Sequence, residues 1–317
     1  MNPGLLFENF AQVLLAGLLV GAIYGLMCVG LGLIFGVMRV INFAQGDFLM
    51  LGMYFTFYVV SVFGVFAFLG AEAAPIAGAL SAGPVLFAGG WLLHRLLIAR
   101  VTGTRAAVYE AGQAQLILTL GVALILENGG LIVFGSTPEA VHTPLSWSAW
   151  VIPFFGGASH VLFLNKARAL ACLVSILIGA GLYWFIGRTR LGKALRAAAD
   201  NPEAALYMGI DVDRAHGIAF GIGTGITAVA GGLVATYYPF QPYVGFDFVI
   251  IMYAGVVLGG MGSILGAFWG GVTIGLVQQL ATLVLPFQLQ NAAIFVVFLL
   301  IVQLRPQGLF GRSVERV

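Results

Sequence analysis

From Phe248 to Leu304 the chain carries no Asp, Glu, Lys or Arg, and that stretch limits what the molecule can be. A helix needs only about 20 apolar residues to cross the hydrocarbon of a bilayer. At about 1.5 Å of rise per residue, the uncharged stretch is far too long for one crossing and must fold back. Upstream, apolar runs of crossing length lie near 10–37, 48–69, 73–94, 114–135, 169–187 and 216–238. The only charge ahead of the first run is Glu8, so that run is expected to stay as a membrane helix and not to be a cleaved signal. Because backbone polar groups in lipid must be satisfied within the spanning segment, the expected fold is an all-α integral membrane protein, one transmembrane unit over residues 1–317.

Composition narrows the function. With 61% hydrophobic and 8% charged residues, there is too little polar surface to coat a soluble globule. The net charge of +2 is not gathered into basic clusters interleaved with aromatics, which argues against a nucleic-acid partner. Cys28 and Cys172 lie inside apolar runs, where cysteine packs as a small hydrophobe. His142 and His160 belong to an outer segment and His94 and His216 to span ends, without metal-ligand spacing. No convergent set of nucleophiles, bases or ligands is evident, so neither a catalytic nor a metal site is expected.

Lysine and arginine set the orientation. With Arg39 cytoplasmic, the alternation of spans puts Arg95, Arg100 and Arg105 inside, then Arg188, Arg190, Lys193, Arg196 and Arg214, leaving only Lys166 and Arg168 outside. Asp247 then falls outside while Arg305, Arg312 and Arg316 fall inside, which requires an odd number of crossings between them, with three the sensible count. The expectation is about eight or nine helices, N-terminus outside and C-terminus cytoplasmic. The first of the last three, about 246–258, is short. The "GGMGS" at Gly259–Ser263 is either a cytoplasmic turn or a break within the membrane, as in a re-entrant helix.

Polar residues in so apolar a chain stand out. "VMRVINFAQGDFLMLG", Val37–Gly52, holds Asn42, Gln45 and Asp47 where the first two spans turn. Two readings are open: a cytoplasmic turn in which Asn42 or Asp47 caps the second span, or a gate or path wall whose polar groups meet a passing solute, as in transporters with broken helices. Glu127, followed by Asn128, lies mid-span, where a charged acid costs about 2.5–3.5 kcal/mol. It is either a path residue or a neutral acid bonded to a neighbouring helix. Gln278 and Gln279 suit hydrogen bonding between helices. Glycines at four-residue spacing, such as Gly17, Gly21 and Gly25 or Gly271 and Gly275, favour close helix packing. The outer segment 136–166, with Trp147, Trp150, Pro138, Pro144 and Pro153, suggests a helix lying at headgroup level or a docking surface for a soluble protein.

The largest cytoplasmic segment, 187–215, reads "GRTRLGKALRAAADNPEAALYMGIDVDRA". Its Gly187…Gly192-Lys193 imitates a phosphate-binding loop, but Ala194 cannot ligate magnesium and a membrane span precedes it, so no ATP site is expected in this chain. Further on, Asn201 can cap a helix that begins at Pro202 and carries Glu203 in its first turn. Glu203-Ala204-Ala205, three residues, then Gly209 resembles the Glu-Ala-Ala-x-x-x-Gly signature of ABC importer permeases, where a short helix docks into a groove on the ATPase subunit.

Four ordered blocks extend that resemblance to nearly the full chain: "GLIFGVMRVINFAQGDFLMLG", "LGKALRAAADNPEAALYMGID", "VLGGMGSILGAFWGG" and "RPQGLFGR". The chain resembles permeases of the branched-chain amino-acid, binding-protein-dependent ABC importers. The resemblance implies a type II ABC importer permease-like bundle in a bacterial inner membrane. It also implies a second related permease, two cytoplasmic ATPase subunits holding ATP and Mg, and a soluble substrate-binding protein. Asn201, Pro202, Glu203, Ala204, Ala205 and Gly209 would couple to the ATPase; Asn42, Gln45, Asp47, Glu127 and Asn128 are the path candidates. The family commonly has histidine where this chain has Gln45, and a lysine soon after the position of Gly245 where this chain reads "FDFVIIMYAG". The competing function is a proton-coupled secondary transporter with Glu127 as its acid.

Overall fold

The structure, a computed structural model, describes residues 3–102, 108–153, 161–286, 289–305 and 307–310. Arg105, His160, Arg312 and Arg316, and Pro306 and Gly311 of the closing block, lie outside the described residues. Six helical spans are long and apolar enough to cross a membrane: α1 (Pro3–Met38), α3 (Gly70–Leu93, prolonged by a π-helical turn His94–Ile98 and by α4, Ala99–Thr102), α5 (Val108–Phe134), α7 (Lys166–Arg188), α10 (Val212–Val234) and α12 (Ile264–Ala281). Three shorter helices complete the bundle: α2 (Gln45–Phe57, with a π-helical turn Tyr58–Val62), α11 (Val244–Gly259) and α13 (Gln290–Leu304). These nine helices among the described residues agree with the eight or nine expected. Connections carry α6 (Pro144–Trp147), α8 (Arg190–Asp200), α9 (Pro202–Tyr207) and an antiparallel hairpin of β1 (Ala149–Pro153) and β2 (Val161–Asn165).

Two helices form the core. The apolar windows of α1 and α10 are 83% buried, against 22% for those of α3, α5 and α7, so the last three form an outer ring whose apolar faces suit lipid. The glycine spacing explains how α1 seats on α12. A Cβ at Gly21 would lie 2.7 Å from the Val272 carbonyl, and one at Gly271 2.5 Å from the Gly25 nitrogen. Only glycine on both helices permits that antiparallel approach, in which backbone contact replaces a hydrophobic incentive that lipid does not supply. The register runs from Gly17 beside Leu276 to Gly36 beside Gly262.

That register gives the bundle two chemically distinct ends. Arg39, Arg188, Arg196 and the Gly262–Ser263 turn line one cavity, and Gly217 near the start of α10 sits against Trp91 and His94 at the end of α3. Among the described residues, the cations of the loops and span ends from 39 to 214, apart from Lys166 and Arg168, therefore collect at this basic end. At the other end, Glu8 accepts from the Val161 amide, Gln12 exchanges hydrogen bonds with Phe163, and Lys166 reaches Glu72 at 3.9 Å. The "GGMGS" segment is a turn at the basic end, and the chain near Leu309 returns to the same place, its amide donating to the Leu258 carbonyl.

Two details depart from expectation. The second span, read as 48–69, ends at Val62, and Gly64 at φ +58° turns the chain before α3; apolar composition alone does not mark that turn. The outer segment holds, besides the short α6 that ends at Trp147, a strand pair that the expectation of a surface helix did not include. Its facing pairs, Trp150 with Leu164 and Val151 with Phe163, are aromatic and branched residues that pack well on a pleated surface.

Candidate translocation site and coupling helix

The helix break between α1 and α2 builds the central site. Arg39, at φ 55°, ends α1 at the basic end. The chain then runs without helix back into the bundle, so that Gln45, the first residue of α2, lies level with Gly223 and Thr227, midway along α10. Nonhelical backbone at such depth must find partners. The Thr119 hydroxyl on α5 donates to the Ile41 carbonyl at 3.2 Å and accepts from the Phe43 amide at 3.4 Å. Asn42 Oδ1 accepts from the Ala44 amide at 3.2 Å, and its Nδ2 donates to Gln45 Oε1 at 2.9 Å. Gln45 Nε2 in turn donates to the Gly223 carbonyl at 3.1 Å and to the Thr227 hydroxyl.

Asn42 and Gln45 are fully buried, and neither Asn42 nor Asp47 is the side-chain cap of α2. Residue 44 occupies the N-cap position of α2 without a side-chain bond. Asp47 sits in the first turn of α2, 6% exposed and within electrostatic reach of Glu127 on α5. Asn128 points away, exposed, and its amide donates to the Leu124 carbonyl of its own helix. The candidates thus separate: Asn42, Gln45, Asp47 and Glu127 belong to one region, Asn128 to the outer surface of α5.

Replacing Gln45 by leucine is expected to destabilise the bundle by about 1–3 kcal/mol, because Asn42 Nδ2 and the Thr227 hydroxyl are left buried without a partner. A thermal melt of the purified protein reads the loss.

Opposite Gln45, the N-terminus of α11 meets that of α2. A Cβ added at Gly245 would lie 2.8 Å from the Gly46 carbonyl carbon and oxygen, and one added at Gly46 would collide with the Gly245 carbonyl. Neither helix start carries a side-chain cap, whereas α7, α8, α9, α10 and α12 are capped by Asn165, Thr189, Asn201, Asp211 and Ser263. Two positive dipole ends therefore converge midway along the bundle, with Asp47 and Asp247 in their first turns; Asp247, expected outside at the start of a crossing, instead lies near the start of a 16-residue helix that begins at mid-depth. The glycine pair and the threonines Thr119 and Thr227 escaped sequence reasoning, since neither residue type is rare enough to stand out.

At the basic end, α9 is short but fully closed at both termini. Asn201 Oδ1 accepts from the Ala204 amide at 3.0 Å, Pro202 opens the helix, and Glu203 lies in its first turn. Gly209 takes φ +78°, and its amide and that of Ile210 bond to the Leu206 and Ala205 carbonyls, both at 3.0 Å, the Schellman closure that a glycine permits. Ala205 is buried at 4% exposure, while Leu206, Tyr207 and Met208 are 59%, 90% and 82% exposed. Three consecutive large apolar side chains thus project from a helix tip beyond the membrane-length spans. Asn201→Ala is expected to cost about 1 kcal/mol of local stability, seen as faster amide exchange confined to α9 with an unchanged melt of the bundle.

A polytopic helical bundle whose backbone breaks at mid-depth between buried polar groups has the architecture of a membrane permease. The family model for the branched-chain amino acid transport system permease component matches residues 13–304, and the chain belongs to that family. The high-affinity branched-chain amino acid transport system permease protein BraD of Pseudomonas aeruginosa is 30% identical over 98% of each chain. The permease protein LivH of Escherichia coli K12 is 29% identical over 98% of this chain and 99% of its own. A probable LivH of Methanocaldococcus jannaschii is 29% identical over 81% of this chain and 76% of its own. No solved structure gives a significant match.

Proposed function

We propose that this chain, paired with a second related permease, forms the path by which branched-chain amino acids enter a bacterial cell across its inner membrane. A soluble binding protein delivers the solute, and two cytoplasmic ATPase subunits, which hold the ATP and Mg, supply the energy. The chain itself is non-catalytic and carries no cofactor. The substrate class follows the names of its relatives. The cationic end is cytoplasmic by the positive-inside rule, which sets the N-terminus outside and the C-terminus inside.

One observation carries the reading: the exposed apolar tip Leu206-Tyr207-Met208, held out by a helix closed at both ends, suits insertion into a groove of a partner protein. The close approach of Gly46 and Gly245 is where such a path would be closed. Movement of α2 against α11 would part the two helix starts, offering positive dipole ends to a carboxylate and Asp47 to an ammonium group. Co-expression with its ATPase subunits and affinity purification tests the proposal. The ATPases should co-purify with the wild-type permease and be lost when Pro202–Gly209 is replaced by a Gly-Ser linker; retention by the linker variant refutes the docking role.

A further inference from the structure

We propose that the cavity at the basic end, between α1, α7, α8 and the α11–α12 turn, binds the headgroup of an anionic phospholipid. The cavity encloses about 910 Å³, and its charged lining is Arg39, Arg188 and Arg196 against a single carboxylate, Asp200. Among the described residues none of the three arginines has a carboxylate within ion-pair distance. Arg196 is instead held over the end of α7, its Nη2 donating to the Gly187 carbonyl at 3.2 Å. Arg39 is the only non-glycine residue at positive φ among those described. That conformation costs about 1–2 kcal/mol for a side chain with a Cβ, so an arginine there places charge at the cavity rim where glycine would suit the backbone better. The N-terminus of α12, an 18-residue helix, opens on the same space at Ser263 and Ile264, adding partial positive charge.

Depth and wall chemistry select a lipid over a soluble anion. The cavity lies at the end of α1 and α7 and the start of α12, and Trp184 on its wall is 64% exposed, as suits an indole at headgroup level. Leu33, Phe35 and Ile186 add apolar side chains of α1 and α7 to the lining, which an acyl chain can follow and a free phosphate has no use for. Basic pockets between membrane helices are the recognised form of such sites.

Native mass spectrometry of the intact transporter, titrated with phosphatidylglycerol, phosphatidylcholine or inorganic phosphate, tests this. Phosphatidylglycerol should be retained in preference to phosphatidylcholine and should not be displaced by phosphate. Combining Arg39→Gln, Arg188→Gln and Arg196→Gln should weaken retention by roughly fivefold per arginine removed. Lysine at the same three positions should preserve most of it and control for folding, and Arg190→Gln with Lys193→Gln, outside the cavity, should leave it unchanged. Undiminished retention in the glutamine variant, equal retention of phosphatidylcholine, or displacement by phosphate overturns the proposal.

Discussion

Replacing Tyr207 by aspartate is expected to abolish measurable substrate uptake while leaving the permease folded. The side chain is 90% exposed, and surface substitutions of that kind usually change stability by no more than about 0.5 kcal/mol. A buried aromatic anchor at the centre of an interface is worth about 2–4 kcal/mol, or roughly 30- to 700-fold in affinity at about 1.4 kcal/mol per decade. Forcing a carboxylate into an apolar groove adds a desolvation penalty to that loss. Affinity of the purified ATPase for the permease, measured by titration, should fall within that range or beyond it. Tyr207→Phe should bind like wild type, which separates loss of apolar contact from loss of the hydroxyl. An aspartate variant that keeps wild-type affinity would remove α9 from the interface.

The second large effect is expected at Gly46. Valine there would drive a branched side chain into the backbone of α11 at Gly245, where even a Cβ cannot fit without displacement of one helix. Overpacking of a well-filled core costs about 1–3 kcal/mol and sometimes more. Here the obstruction is backbone, with no side chain free to swing away, so a loss of about 3 kcal/mol and failure to recover folded protein at physiological temperature are expected. Gly245→Val should behave alike because the two glycines meet across one contact. The double variant should cost less than the sum of the singles, since the first insertion already separates the helices. Thermal melts of the two single variants and the double variant check both statements, and additive losses would place the glycines in independent environments.

How much of this was legible in the sequence depended on how local each interaction is. The membrane spans follow from apolar composition summed over about 20 residues, and the short α9 could be read because Asn201, Pro202, Glu203 and Gly209 act on their own backbone within a few residues. The central site is the opposite case. Gln45 bonds to Gly223 and Thr227, 178 and 182 residues away, so the sequence marks its polarity but not its partners. For the same reason the burial of Asn42 and Gln45 could not be read without the packing of α10 and α11 on the Val37–Gly52 stretch. Asn128 illustrates helix phase: one residue from Glu127, it turns by about 100° and is exposed, while Glu127 is half-buried and within electrostatic reach of Asp47. The end of α2 at Val62 and the hairpin after α6 rest on turn geometry within runs that are apolar throughout.

Under the proposed function, the energy for transport enters from outside this chain through α9. Uptake of labelled leucine into proteoliposomes containing the permease pair, the ATPases and the binding protein tests that most directly. With ATP supplied on the side bearing α9, uptake should proceed at an undiminished rate after a protonophore collapses the proton gradient, and should cease when ATP is withheld. Uptake that continues without ATP and stops with the protonophore would contradict the account and return Glu127 to the role of a proton-coupled acid.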